Sequence, residues 1–394
     1  MAGLPLPVQT VRPTPVSVSF IMPTQSRYDL FAACAPGFEA VAAQELFNLG
    51  IATPRAEAGG VNFRGFVSHV YKVNLWARSI ERVLLRLAEF RALTFKELHD
   101  KARQIDWAQF IQPTRPVSIR ATCHKSRLIH SDAVVERVAT AIADKLKRNI
   151  GADDADEHAQ LIVVRLVNDV CTISLDSSGP LLHRRGYRQA TAKAPLRETL
   201  AASMLLASGW TPAHPLIDPF CGSGTIPIEA ALLARNIAPG LKRRFAFMDW
   251  PEFDRAAWND LVSQATESIL EKTPAAILGS DRDAGAIEAS RANAERAGVP
   301  GDIEFTVRAV SAIEPLGRGW LVTNPPYGQR LSEDKDVRNL YAQFGKVARA
   351  KCAGWHLAVL AGSDELAQAT RLPFGPAVRV NNGGLRVRFV QATL

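Results

Sequence analysis

Residues 218–225 read Asp-Pro-Phe-Cys-Gly-Ser-Gly-Thr and stand between an apolar stretch, 215–217, and a helical one, 226–234. Glycines at a strand-to-helix junction let the backbone approach a ligand closely, and the first turn of the helix offers free N–H groups. The stretch is not a dinucleotide-binding fingerprint, because Pro227 stands where the third glycine belongs. Taken alone, it fits an ordinary glycine-rich turn equally well.

A second polar residue follows another strand-like stretch. Residues 275–280 are mostly small or apolar, and Asp281 comes directly after them. A carboxylate at that point can accept both hydroxyl protons of a ribose. Asp281 lies 57 positions after Gly224, whereas the acidic residue of a plain dinucleotide fold follows after about 20. An insertion is therefore predicted between the two.

The insertion is expected to include residues 239–260, which hold five aromatic side chains. Aromatic residues under a long loop favour a small satellite core. Lining of a nucleobase pocket is the alternative.

The third element is Asn324-Pro325-Pro326-Tyr327, which ends the apolar stretch 320–323. The Asn324 amide oxygen and a proline carbonyl can together accept both hydrogens of an exocyclic amine, while a tyrosine face stacks on the ring that carries it. An amine held in this way can attack an electrophilic methyl group in line, without a strong base. Asn324, Pro325, Pro326 and Tyr327 are therefore the predicted catalytic residues.

Hydrophobic patterning divides the chain into five parts. A tail over 1–27 is expected to be disordered, 28–93 to form a ferredoxin-like unit, 94–178 a second α/β unit, and 179–200 a linker. Residues 201–394 alternate helices with near-continuous apolar strands, which predicts a parallel sheet buried on both faces, and they end in an antiparallel hairpin. Ligands of such sheets bind at the carboxyl ends of the strands.

Positive charge is concentrated in the first half of the chain. Residues 1–200 carry 26 Lys/Arg against 19 Asp/Glu, and residues 201–394 carry 21 against 20. This asymmetry favours a polyanion as the partner of the first half, with a generically basic surface as the alternative. A basic loop with one aromatic ring lies between the two halves and is predicted to bind RNA through Arg184, Arg185, Tyr187, Arg188 and Lys193. A solvated linker is the other interpretation of that loop.

Together these motifs resemble a known family. Residues 218–225, Asp281 and 324–327 are similar to the cofactor and target-amine motifs of class I S-adenosylmethionine-dependent N-methyltransferases. Residues 183–188, 194–200 and 226–231 resemble the versions found in THUMP-domain RNA guanine-N2 methyltransferases, most closely the large-subunit rRNA enzymes. The resemblance implies a Rossmann-like methyltransferase with a seven-stranded sheet, preceded by a ferredoxin-like unit and a THUMP domain.

The resemblance also implies roles for individual residues. Asp218, Gly222 and Gly224 would contact the methionine part of S-adenosylmethionine, and Asp281 its ribose. Cys221 would also belong to the cofactor-binding residues. Thr199 would approach the cofactor carboxylate, and Asn324 would lie between the cofactor and the target base.

The chain departs from the family at one cofactor contact. The family often has an acidic residue for the adenine amine where residues 308–311 here read Arg-Ala-Val-Ser. Ser311, a backbone group, or packing alone would then have to hold the adenine.

The predicted activity is methyl transfer to the exocyclic N2 of a guanine in 23S rRNA. A tRNA guanine-N2 enzyme is the nearest alternative, and a DNA amino-methyltransferase shares the amine chemistry. A non-catalytic RNA-binding factor of ribosome assembly is the alternative from another class.

Composition excludes several other classes. No apolar run approaches the roughly 20 residues of a membrane span, and the five cysteines are scattered without a paired spacing that would suggest a zinc or dithiol site. The sequence thus predicts a cytoplasmic monomer with reduced thiols, no metal and no membrane contact.

Overall fold

The computed structural model describes residues 27–150, 159–189, 196–315, 317–327 and 334–394. Its strands form two seven-stranded sheets, one from each half of the chain. The predicted tail lies almost wholly outside the described residues, as does part of the predicted linker. None of the helices in the described ranges combines the length and the apolar character that a membrane crossing requires.

The first sheet has the strand order β2-β3-β1-β4-β7-β6-β5. Its strands are β1 (Tyr28–Cys34), β2 (Arg55–Glu57), β3 (Gly60–Gly65), β4 (Ile80–Arg91), β5 (Val117–His124), β6 (Gln160–Val167) and β7 (Val170–Asp176). Its helices are α1 (Glu39–Asn48), α2 (Val67–Trp76), α3 (Phe95–Arg103) and α4 (Ser131–Leu146), with a 3-10 turn at Trp107–Gln109.

The two predicted N-terminal units share this one sheet. Strand β4 is 12 residues long; it pairs with β1 on one side and with β7 on the other, and both pairings are antiparallel. The sequence predicted two successive units but not their joining, because strand pairing between distant segments leaves no local pattern. The first half of the chain is therefore one continuous platform.

The second sheet has the order β10-β9-β8-β11-β12-β14-β13. Its strands are β8 (Leu216–Asp218), β9 (Ile277–Asp281), β10 (Glu304–Val307), β11 (Trp320–Thr323), β12 (His356–Ala361), β13 (Val378–Asn382) and β14 (Leu385–Thr393). Its helices are α5 (Glu198–Ala207), α6 (Thr225–Ala234), α7 (Arg255–Glu267), α8 (Ala284–Ala297), α9 (Asp334–Lys351) and α10 (Asp364–Ala369), with 3-10 turns at Ala246–Asp249 and Val310–Ala312.

Strands β8 to β12 pair in parallel, and β14 pairs antiparallel with both β12 and β13. This topology confirms the predicted parallel sheet with a C-terminal antiparallel hairpin. The sheet is buried because helices cover it, which is why its strands consist of nearly continuous apolar residues. The carboxyl ends of β8, β9 and β11 lie side by side and carry Asp218, Asp281 and Asn324.

The insertion between β8 and β9 belongs to the other half of the molecule. Its buried rings Phe245, Phe247, Trp250 and Trp258 join the hydrophobic core of the first sheet. Tyr71 of α2 stacks on Phe247 with 4.6 Å between ring centroids. Neither a separate satellite core nor a nucleobase pocket forms, so both expectations for these rings were wrong. The insertion instead fastens the second sheet to the N-terminal platform.

Candidate active site

The glycine-rich turn adopts the backbone conformation that its residue types suggest. Gly222 has φ +51° and Gly224 has φ +83°, a left-handed conformation that disfavours any residue with a Cβ. A Cβ at Gly224 would lie 3.1 Å from the Phe305 ring, whereas a Cβ at Gly222 would meet nothing within 4 Å. Gly224 is therefore required by packing against β10, and Gly222 borders open space.

Asp218 joins the ends of two strands. Its Oδ1 accepts hydrogen bonds from the Thr323 hydroxyl at 2.6 Å and from the Phe220 N–H at 3.1 Å. Burial raises the pKa of this carboxyl to about 7, and these two donors only partly offset the effect. The hydroxyl of Thr323 thus ties the end of β8 to the end of β11 one residue before Asn324. Sequence reasoning missed Thr323, since it looked like an ordinary strand residue.

Asp281 joins the turn to β9. Its Oδ2 accepts from the Gly222 N–H at 3.1 Å, and its Oδ1 accepts from the Asp283 N–H at 3.0 Å. The Ser290 hydroxyl of α8 donates to the Gly222 carbonyl at 2.7 Å. The two motifs assigned to the cofactor from sequence are therefore in direct contact, although 59 positions separate Gly222 and Asp281 along the chain.

The target-amine motif begins where β11 ends. The Tyr327 hydroxyl donates to the Asn324 Oδ1, and the Asn382 Nδ2 donates to the Tyr327 hydroxyl at 3.3 Å. Asn382 is 6% exposed and ends β13, where the sequence reads as a hairpin turn. Burial raises the pKa of the Tyr327 phenol. Tyr327 is therefore a neutral donor that occupies the amide oxygen expected to accept a hydrogen of the target amine.

Cys221 and Thr199 are two buried residues that the sequence assigned to the cofactor site. Burial raises the pKa of the Cys221 thiol well above its usual value, so this thiol is no nucleophile at neutral pH. Thr199, at the start of α5, is 1% exposed, and its Oγ1 has no hydrogen-bond partner among the described residues. A buried hydroxyl of this kind is uncommon in a folded protein and suits an additional polar ligand.

These features fit a bound S-adenosylmethionine. Gly222 offers a cradle that a side chain would fill, Thr199 offers an unused hydroxyl, and Asp281 presents a half-buried carboxylate at the same strand edge. The adenine contact stays a prediction. Ser311 is exposed in the turn after β10, and the Lys351 ammonium donates to its carbonyl at 3.1 Å.

The basic loop before α5 requires a correction. Arg185 and Tyr187 are 8% and 4% exposed, so neither can contact RNA. The Arg185 guanidinium donates to the carbonyls of Leu182 and Arg78, each at 2.7 Å. The Tyr187 hydroxyl donates to Glu229 at 3.0 Å. Carbonyls and a carboxylate from both halves accept these hydrogen bonds, and the Arg185 Nε lies 3.5 Å from Glu229. A local sequence pattern does not show such partners.

Arg188 is also engaged inside the protein. Its guanidinium donates to Glu198 at 3.1 Å and to the Leu196 carbonyl at 2.8 Å, and its side chain is only 12% exposed. Arg184 is exposed and stays a candidate for RNA contact. Lys193 lies outside the described residues. The loop thus acts mainly as a polar connection between the N-terminal platform and α5 and α6.

The second sheet and its strand-end site define a class I methyltransferase, and family comparisons agree. Residues 185–388 match the RMKL-like methyltransferase domain, residues 29–84 the RlmL ferredoxin-like domain, and residues 92–176 the THUMP domain. The chain belongs to the RMKL-like methyltransferase family, and its cofactor is S-adenosylmethionine.

Individual relatives are similar over nearly the whole chain. A Synechocystis protein named as an RNA methyltransferase is 38% identical over 90% of this chain and 94% of its own length. The ribosomal RNA large subunit methyltransferase K/L of a Shewanella strain is 36% identical over 93% of this chain. The chain spans about half of that relative, 53% of its length. A methyltransferase structure complexed with S-adenosylhomocysteine, SMU.472, is 32% identical with a TM-score of 0.83, and the match covers 94% of this chain and 99% of that one.

Proposed function

We propose that this protein transfers a methyl group from S-adenosylmethionine to the exocyclic N2 of a guanine in large-subunit (23S) rRNA. The observation that carries the proposal is the position of Asn324–Tyr327 at the end of β11. Through Thr323 and Asp218 this motif is linked to the glycine-rich turn, where the cofactor would bind. The K/L name of the Shewanella relative supports rRNA as the substrate.

Three residues of the chain would hold the guanine for the reaction. The Asn324 Oδ1 and the Pro325 carbonyl accept the two hydrogens of the amine, and the Tyr327 ring stacks on the base. The cofactor, when bound, supplies an electrophilic methyl group on a sulfonium. Asn324 and Pro325 would aim the amine lone pair at that methyl group, so that the N–C bond would form as the C–S bond breaks and one amine proton would leave to water. The Tyr327 hydroxyl donates to the same Asn324 Oδ1, whose second lone pair is left to accept a hydrogen of the amine.

The N-terminal platform would hold the RNA. It contains the residues that match the THUMP domain, and it lies in the half of the chain with the excess of Lys and Arg. Phosphate neutralisation by such residues supplies affinity that depends on salt and little on sequence.

We further propose that the limits of the parts are 28–93, 94–178 and 201–394, with a linker over 179–200. We also propose that the protein acts as a monomer in the cytoplasm. Light scattering of the purified chain tests whether it is monomeric.

The decisive variant is Asn324→Ala. It removes the amide acceptor of the amine, so we expect turnover to fall by at least about 100-fold while the dissociation constant of S-adenosylmethionine stays within about twofold. Unmodified 23S rRNA, tRNA and unmethylated DNA are each incubated with labelled cofactor, and the labelled nucleoside is identified after digestion. Asn48→Ala, an exposed asparagine on α1, is the matched control and should keep full activity.

The labelled nucleoside also separates the candidate substrates. N2-methylguanosine from 23S rRNA is the expected product. The same nucleoside from tRNA alone would identify tRNA as the substrate. N6-methyladenine in DNA would contradict the assignment of RNA as the substrate. Full activity of Asn324→Ala would contradict the role of the motif, and cofactor binding without methylation of any nucleic acid would favour a non-catalytic assembly factor.

A further inference from the structure

A groove of about 900 Å³ lies between α9 and α10, outside the cofactor motifs. Tyr327 lines it, together with Gly362 and Leu366, so the groove is continuous with the target-amine motif. The contacts described so far assign no function to the groove. A base held by Asn324 and Tyr327 would leave the strand that carries it close to the groove.

The two helices that border the groove pack closely against each other. A Cβ at Gly345 of α9 would lie 1.8 Å from the Thr370 carbonyl oxygen, so α9 and the end of α10 touch through their backbones. The Arg349 guanidinium donates to the carbonyls of Thr370 and Arg371, at 2.6 and 2.9 Å, and thereby caps α10. The walls of the groove therefore have a fixed spacing.

The lining of the groove is strongly basic. Its lining holds one carboxylate, that of Glu365, and four cationic side chains, those of Arg338, Lys346, Arg349 and Arg371. Arg338 and Lys346 are exposed and eight residues apart on α9, a rise of about 12 Å along one face of the helix. No ion pair between described residues uses Arg338, Lys346 or Arg371, and the nearby Asp364 pairs with Arg388 instead.

Arg371 is held in an unfavourable backbone conformation. It follows Thr370, the C-cap of α10, and has φ +55°. Glycine is the usual residue at this position of a helix end, because a Cβ is disfavoured in the left-handed region. A glycine would adopt this backbone conformation at a lower cost in free energy. The presence of arginine instead indicates a use for its side chain at the edge of the groove.

We propose that this groove binds the phosphate backbone of the RNA strand that flanks the target guanine. The inference rests on the proposed function and deepens it, because it assigns a second RNA contact on the methyltransferase half, beside the N-terminal platform. The charge and position of the groove carry it: exposed Lys and Arg side chains that form no ion pair with any described residue neutralise phosphates, and a base rotated into the site brings its neighbouring phosphates with it. An acidic polypeptide is the competing occupant.

Two single variants test the proposal. Lys346→Ala removes one cation from an exposed helical position, and Arg371→Gly removes another while relieving the left-handed backbone. Each is expected to raise the KM for unmodified 23S rRNA about threefold to tenfold, with kcat unchanged, and to lower the slope of log affinity against log salt by about 0.7 to 1. Arg371→Gly should unfold at an equal or higher urea concentration than the parent chain.

Lys272→Ala is the matched control, since Lys272 is an exposed lysine outside the groove. Affinity is also measured without catalysis, with a fluorescein-labelled single-stranded RNA of about 12 nucleotides and with poly-glutamate. Unchanged KM and RNA affinity in both groove variants, or an equal loss in Lys272→Ala, would overturn the inference. Loss of poly-glutamate binding with intact RNA binding would also overturn it and assign the groove to an acidic polypeptide.

The two proposals can fail separately. If the groove variants bind the RNA more weakly although the methylated nucleoside is not N2-methylguanosine, the groove is supported and the proposed function is wrong. If N2-methylguanosine forms with parental KM in both groove variants, the proposed function stands and the groove inference falls.

Discussion

Asn382 is the residue whose importance depends most on the tertiary structure. Its side-chain amide donates to the Tyr327 hydroxyl from a strand 55 positions farther along the chain. This contact holds the tyrosine beside Asn324, where the target base would enter under the proposed function. The hairpin thus contributes a positioning residue to a site that is otherwise built from β8, β9 and β11.

Replacement of Asn382 by Ala removes that donor and leaves the Tyr327 ring less constrained. We expect kcat to fall about 5-fold to 50-fold, because small misplacements of a reacting group are costly, while affinity for S-adenosylmethionine is unchanged. Steady-state kinetics and calorimetry measure the two quantities. Asn381→Ala in the same hairpin is the control; an equal loss there would indicate loosening of the hairpin rather than loss of the Tyr327 contact.

Asp218 makes stability depend on pH. Its pKa rises from 3.8 to about 7 on folding, so between these values the folded protein binds more protons at this group than the unfolded chain does. The contribution is fully present below about pH 4, shrinks as pH rises, and is lost above about 7. We therefore expect the Asp218 contribution to the free energy of unfolding to fall across this window.

Urea titrations of the parent and of Asp218→Asn, at pH 5 and pH 8 without cofactor, measure that contribution. The amide does not titrate, so the free energy of unfolding of the parent, relative to that of the variant, should be higher at pH 5 than at pH 8. A difference independent of pH would contradict the raised pKa of Asp218.

Individual elements were largely predictable, because each depends on residues close in sequence. The helix α8 has Asp283 as its N-cap, whose carboxylate accepts from the Gly285 N–H at 2.8 Å, and Gly298 with φ +83° as its C-cap. Both are standard cap residues. The apolar strands of the second sheet were recognisable for the same reason. Pairing of β4 with β7 was not predictable, since either strand could equally have been an edge.

The glycine-rich turn gives a test at the scale of one element. Gly224→Ala forces a Cβ into a left-handed residue and against Phe305, so we expect a loss of about 1–3 kcal/mol in the free energy of unfolding. Gly222→Ala adds a Cβ to open space, so its cost is limited to the backbone, about 1 kcal/mol. The Gly222 variant should instead weaken S-adenosylmethionine binding about 10-fold or more, since the methyl group fills the cradle. Urea unfolding and calorimetry compare the two; intact cofactor affinity in Gly222→Ala would contradict the cradle.

The whole molecule is held together by the insertion. Phe247 is fully buried in the core of the first sheet although it belongs to the second half of the chain. Its backbone N–H also donates to the Ser177 carbonyl at 3.1 Å. Together with Arg78, whose guanidinium donates to the Ile237 carbonyl at 2.8 Å, these contacts hold the N-terminal platform against the cofactor-binding half.

Removal of that ring tests the connection. Phe247→Ala should cost about 3–5 kcal/mol in the free energy of unfolding, the usual range for a buried phenylalanine. Phe47→Ala, which truncates a side chain that is 57% exposed, should change the same quantity by less than about 0.5 kcal/mol. Urea denaturation followed by fluorescence and circular dichroism provides both values; equal effects of the two variants would contradict the bridging role of the insertion.

The sequence by itself determined the fold class and the order of the parts, and it predicted the position of the candidate site. These follow from local quantities: the spacing of apolar residues, glycines at a strand end, and polar residues directly after strands. The tertiary structure alone decided that two units share one sheet, that Arg185 and Tyr187 are buried, and that Thr323 and Asn382 complete the site. Each of these depends on which distant segments pack together, and burial or exposure of a side chain is a property of that packing rather than of its neighbours in the chain.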